Sequence, residues 1–98
     1  MQSTDYFKKN YQLISNVIDN TDTPVFITDQ AYLKEKVESI KHILDEKYLL
    51  FFAIKANFNP NIVSILKDSG VDGIETISTY EIELAKKLNF HSSQILFT

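Results

Sequence analysis

The chain has 98 residues, 44% of them hydrophobic and 23% charged, a balance that fits one ordinary globular domain and not a disordered, collagenous or membrane-spanning chain. Its 10 basic and 13 acidic residues are interspersed, with no basic stripe to neutralise a phosphate backbone, so no nucleic acid is expected as a partner. Cysteine is absent, which excludes disulfide scaffolds, thiolate metal sites and cysteine nucleophiles and makes the cytoplasm the expected location.

Taken in chain order, Phe7, Tyr11, Ile14 and Ile18 recur at helical spacing between polar residues and predict one amphipathic helix. The polar cluster Asn20-Thr21-Asp22-Thr23-Pro24 ends it, separating an N-terminal helical arm, residues 1–22, from a domain over residues 23–98. Val25-Phe26-Ile27-Thr28 is a β-branched and aromatic run that predicts a first strand, and Asp29 is placed to cap a helix carrying Leu33, Val37, Ile40 and Leu44. The continuous apolar run Leu49-Leu50-Phe51-Phe52-Ala53-Ile54 predicts a strand covered on both faces, as in a parallel sheet. Asn59 as cap and Pro60 in the first turn open a helix with Ile62, Val63 and Leu66 inward, and Gly70 supplies its left-handed stop.

Gly73-Ile74-Glu75-Thr76-Ile77 predicts a third strand. Ser78-Thr79-Tyr80-Glu81 then has capping-box spacing ahead of a helix with Ile82, Ala85 and Leu88 inward, and residues 94–98 begin a fourth strand. Strands alternating with helices imply right-handed crossovers and a parallel sheet, doubly wound or barrel-forming. The last residues, Ile95-Leu96-Phe97, are an apolar strand that native folds normally cover, so the expectation is a piece of a larger fold. Neither a membrane nor export is expected: the first five residues lack a basic segment followed by an apolar run, and the longest apolar run, residues 48–54, is too short for a bilayer.

His42 and His91 are far apart and lack a second ligand at metal-site spacing, so no metal site is expected. Lys55 follows the most apolar strand, at the carboxyl end where barrel enzymes place catalytic groups. A lysine partly desolvated there keeps a larger fraction of free amine able to condense with an aldehyde. The bland alternative is a side chain that reaches from the strand end into solvent. Phe51, Phe52 and Phe58 are read as core residues in preference to a cofactor platform, and Asn57 as a pocket wall or a satisfier of turn backbone groups.

The segment Phe52-Ala53-Ile54-Lys55-Ala56-Asn57-Phe58-Asn59-Pro60 resembles the cofactor-lysine segment of the ornithine, diaminopimelate and arginine decarboxylase family. Ile62-Val63, Leu66 and Gly70 stand where that signature has apolar residues and a small residue closing a helix. Gly73-Ile74-Glu75, residues 78–85 and residues 94–98 resemble the strand, helix start and strand that follow, and Thr23-Pro24-Val25-Phe26-Ile27 the first barrel strand. The resemblance implies an α/β fold, the N-terminal portion of a pyridoxal-phosphate-binding (β/α)8 barrel with about four βα units begun.

It further implies pyridoxal 5'-phosphate as cofactor, with Lys55 holding it covalently and returning a proton to the substrate carbon. Glu75 is implied as the acidic residue near that lysine and Glu81 as a second carboxylate in the cleft; Ala53, Lys55 and Glu75 are the implied cofactor contacts. Glu75 departs from the family pattern, which more often has aspartate there, and Glu81 has an alternative role in the Ser78 capping box. The implied activity is decarboxylation of a basic or diamino amino acid, meso-diaminopimelate to L-lysine in first place because residues 23–29 look most like that subgroup. The alternatives are an ornithine- or arginine-type decarboxylase, or a truncated relative that acts as a binding module. A racemase of the same barrel class fits less well, since the tyrosine-glycine-histidine stretch after its lysine is missing here. An amino-acid substrate and a homodimer of the complete protein follow from the resemblance, with the phosphate-binding and specificity residues expected beyond Thr98, so that these 98 residues alone are expected to be inactive.

Overall fold

A computed structural model describes residues 3–98 as four α-helices and a three-stranded parallel sheet. The helices are α1 (Ser3–Asp19), α2 (Gln30–Leu44), α3 (Pro60–Ser69) and α4 (Thr79–Lys87); the strands are β1 (Phe51–Ala53), β2 (Gly73–Thr76) and β3 (Ile95–Phe97). Strand order follows the chain, with Ala53 opposite Glu75 and Glu75 opposite Leu96. Each strand returns to its parallel neighbour through a helix, the connection that a parallel pair requires.

Local chemistry sets the helix ends. Asp29 accepts from the Tyr32 N–H at 3.1 Å, Asn59 from the Asn61 N–H at 2.9 Å, and Ser78 from the Glu81 N–H at 3.2 Å, so each satisfies an otherwise orphaned donor. Gly70 closes α3 at φ 118°, and the Val71 N–H reaches back to the Leu66 carbonyl while Val71 packs on Leu66. Lys67 lends its ammonium to the far end of α4, donating to the Leu88 and Asn89 carbonyls at 3.0 and 3.2 Å. The arm is tied to α2 by the Tyr6 hydroxyl, which donates to Asp29 at 2.6 Å. That bond holds the Asp29 carboxyl below its ordinary range and raises the Tyr6 phenol.

The core lies between the sheet and the helices. Ile54, Val63, Ile74, Leu84, Ala85 and Phe90 form one cluster, Val37, Leu66 and Val71 a second, and Phe52 packs against both. Phe52, Ile74 and Ile95 occupy one register row and face this core, so Phe51, Ala53, Gly73, Glu75 and Leu96 alternate onto the opposite face. There the Phe51 ring lies over Gly73, where an added Cβ would come within 2.6 Å of it.

Residues 25–28, expected as the first strand, form no strand: Phe26 is fully exposed and Ile27 is 45% exposed. A strand is stabilised by its ladder and its buried face, and among the described residues this run has no ladder partner. Among the described residues the sheet therefore has three strands, giving two βα units and a third strand that begins another, where four begun units were expected. The expected strand over residues 49–54 shortens to β1, because Ile54 enters a 3-10 turn.

Candidate active site

The carboxyl ends of the three strands carry the residues singled out in the sequence. Ile54 is completely buried and pins a single 3-10 turn, Ile54–Ala56, closed by the Asn57 N–H to the Ile54 carbonyl at 2.9 Å. Lys55 is the middle residue of that turn and is exposed; among the described residues its ammonium enters no hydrogen bond or ion pair. The partial desolvation expected of it is corrected: the turn anchors its buried neighbour in the core and leaves the lysine on the open side.

Ala53 and Glu75 are register partners on the sheet face opposite the helices, both half-buried, with Leu96 completing the row. A side chain no larger than methyl at position 53 leaves the Glu75 carboxylate unscreened on that side. Glu81 is buried at 9% exposure, and its carboxylate accepts from the Ile77 N–H at 3.2 Å while its own N–H donates to Ser78. The Ser78 half of the expected capping box is therefore formed, but the Glu81 carboxylate reaches the Ile77 N–H in place of the Ser78 N–H, which fixes it just past the end of β2.

Beyond Lys55 the chain turns on two asparagines. Asn57 accepts from the Asn59 N–H at 3.0 Å, so it satisfies turn backbone. Phe51 and Phe52 are half-buried against neighbours, whereas Phe58, expected in the core, is 59% exposed. It stands in the loop between the turn and α3, where no element covers it. Phe58 and Tyr80 line an open depression of about 440 Å3 with Ala56, Asn57, Asn59 and Pro60. Tyr80 was passed over in the sequence because it sits inside the capping motif, where its neighbours Ser78 and Glu81 account for the pattern.

Residues 30–98 match the family described as pyridoxal-dependent decarboxylase, pyridoxal binding domain. The chain belongs to this family. It is 32% identical over 75 residues to the diaminopimelate decarboxylase of Aquifex aeolicus, covering 76% of this chain and 17% of that protein. It is 31% identical over 84 residues to that of Archaeoglobus fulgidus, covering 86% and 20%, and 30% identical over 77 residues to that of Bacteroides thetaiotaomicron, covering 76% and 20%. The chain thus spans about a fifth of the length of the curated relatives it matches. No solved structure matches it.

The cofactor of this pyridoxal binding domain is pyridoxal phosphate, and the residues present fit its aldehyde end. Condensation needs an amine that is sterically accessible and not committed to a partner, which describes Lys55. Lys41 is paired with Asp72 at 2.5 Å and Lys67 is bonded to two carbonyls, whereas Lys34, Lys36 and Lys47 are exposed like Lys55, so it is the place at the strand's carboxyl end that sets Lys55 apart. Among the described residues no helix is long and apolar enough to cross a membrane.

Proposed function

We propose that the complete protein removes the α-carboxylate of an amino acid, with meso-diaminopimelate as substrate and L-lysine as product. The carrying observation is the Lys55 amine, without a partner among the described residues, at the carboxyl end of a parallel sheet and inside the stretch that matches the family. The relatives' printed activity supports the choice of substrate. When bound, pyridoxal phosphate supplies an electron sink for the bond-breaking step.

The protein's own residues do the rest. Lys55 holds the cofactor through Nζ and carries the proton that replaces the lost carboxylate. Glu75 places a negative charge on the same sheet face and balances positive charge near the lysine; Ala53 keeps the space beside it clear. Glu81, held by the Ile77 N–H, is the second carboxylate of the cleft. The two βα units and the third strand are part of a (β/α)8 barrel in a cytoplasmic enzyme that works as a homodimer, with the arm over residues 1–22 outside the barrel. Borohydride reduction of the full-length protein with pyridoxal phosphate, followed by peptide mapping, tests the assignment. The pyridoxyl label is expected on Lys55, and a label on Lys47 or Lys67 instead would overturn it.

A further inference from the structure

Thr76 closes β2 one residue past Glu75, and it is completely buried. Valine has nearly the same shape and no polar group, so a hydroxyl at this place is costly unless it is bonded. The Thr76 hydroxyl donates to the Leu96 carbonyl of β3 at 3.1 Å, and the Thr76 carbonyl accepts from the Thr98 N–H at 3.0 Å. Toward the other end of the strand pair, Gln94 donates through Nε2 to the Asp72 carbonyl at 3.0 Å. Because β3 has only three residues, its ladder offers few bonds, and these side-chain bonds are a large share of what holds it to β2.

Leu96 is the register partner of Glu75, and Ala53 completes the row on the other side. Glu75 is half-buried, and among the described residues its carboxylate enters no hydrogen bond or ion pair. Its place is therefore set by its own backbone and by the walls beside it, of which Ala53 is a methyl group and Leu96 the larger. Successive residues of a strand alternate between faces, so the Thr76 side chain lies on the face opposite Glu75 and acts on it only through the strands. The Ile77 N–H that holds the Glu81 carboxylate follows directly, so both carboxylates hang from this one strand end.

We propose that Thr76 is a positioning residue for the decarboxylation: its hydroxyl fastens Leu96 beside Glu75 and so sets where the Glu75 carboxylate stands. The assignment rests on the reading that Glu75 balances positive charge near the cofactor lysine, which Glu75→Gln tests on its own. In the full-length protein loaded with pyridoxal phosphate, the pH midpoint of the bound cofactor's absorbance change reports that charge. Losing a nearby negative charge disfavours the positive, protonated form, so Glu75→Gln is expected to lower the midpoint. Thr76→Val, whose shape and strand preference suit the site, is expected to lower it by a smaller amount. Thr76→Ser keeps the hydroxyl and is expected to keep the wild-type midpoint. Deuterium uptake by the peptide covering residues 95–98 is expected to rise in Thr76→Val and not in Thr76→Ser. An unchanged midpoint or unchanged uptake in Thr76→Val, with Glu75→Gln shifted, would overturn the proposal and leave Thr76 a packing residue. Equal midpoint shifts in the valine and serine variants would overturn it too, since packing and not the hydroxyl would then be responsible. An unshifted Glu75→Gln would overturn the reading of Glu75, and the proposal with it.

Discussion

Lys55 and Glu81 separate two kinds of residue that both follow a strand at the sheet's carboxyl end. Lys55 contributes nothing visible to packing: it is exposed, and the turn is held by its neighbour Ile54. Lys55→Ala in the full-length protein is therefore expected to leave the unfolding midpoint within about 0.5 kcal/mol of wild type. Turnover is expected to fall by at least roughly 10²–10⁴-fold, the scale of a lost acid–base group. A decarboxylation assay alongside denaturant unfolding checks both at once. Glu81 carries a structural duty through the Ile77 N–H, so its two roles must be separated by shape and charge. Glu81→Gln keeps an acceptor of the same length and is expected to retain stability, whereas Glu81→Ala is expected to lose about 0.3–1.5 kcal/mol. If the carboxylate also acts in the cleft, Glu81→Gln loses turnover without losing stability. Equal turnover in the glutamine variant and wild type would leave it the helix-start role alone.

At the scale of elements, Asp72 joins three of them. Its carboxylate accepts from the Lys41 ammonium of α2 at 2.5 Å and from the Leu50 N–H ahead of β1 at 2.7 Å, and its own N–H donates to the Leu50 carbonyl at 2.8 Å. Burial pushes this carboxyl upward, but the Leu50 N–H, the Lys41 hydrogen bond and the Lys41 charge together outweigh it and hold it below the ordinary range. A carboxyl depressed in the folded state stabilises the fold above its unfolded pKa, about 3.9, and loses that contribution as pH falls through the folded value. Denaturant midpoints measured from pH 7 down to pH 2 are expected to drop more steeply below about pH 4 in wild type than in Asp72→Asn. Parallel curves would show that the charge of Asp72 does not support the α2–sheet junction.

For the molecule as a whole, apolar surface is unevenly covered. The helix side of the sheet is packed, while Phe26, Leu49, Leu96 and Phe97 are each at least 48% exposed and β1 and β3 are both edge strands. Open edges with apolar side chains pair readily with other chains. The 98-residue chain made alone is accordingly expected to self-associate and to show no decarboxylase activity. Leaving several such side chains wet forfeits roughly 1.5–3 kcal/mol each, comparable with a small domain's whole margin. Sedimentation combined with urea titration decides this: a monodisperse monomer with a steep cooperative transition would contradict it.

The helix boundaries were legible in the sequence because capping is short-range: Asp29, Asn59 and Ser78 each bond within three residues of themselves, and Gly70 takes the φ that other residues avoid. The family was legible for the same reason, since the resemblance was carried by short stretches of consecutive residues that lie within the matched span of residues 30–98. The core list over α2, α3 and α4 followed from periodicity, and Val37, Val63, Leu66 and Ala85 are buried as expected. What local pattern leaves open is pairing. Residues 25–28 have the composition of a strand and Phe58 that of a core residue, yet among the described residues the first has no ladder partner and the second no covering element. Which sheet face Glu75 shares with Ala53, and that Tyr80 meets the loop after Lys55, depend on register and on how α4 packs against the sheet. Those are long-range packing outcomes, in which partners some twenty residues apart choose one another by shape, so only the tertiary structure decided them.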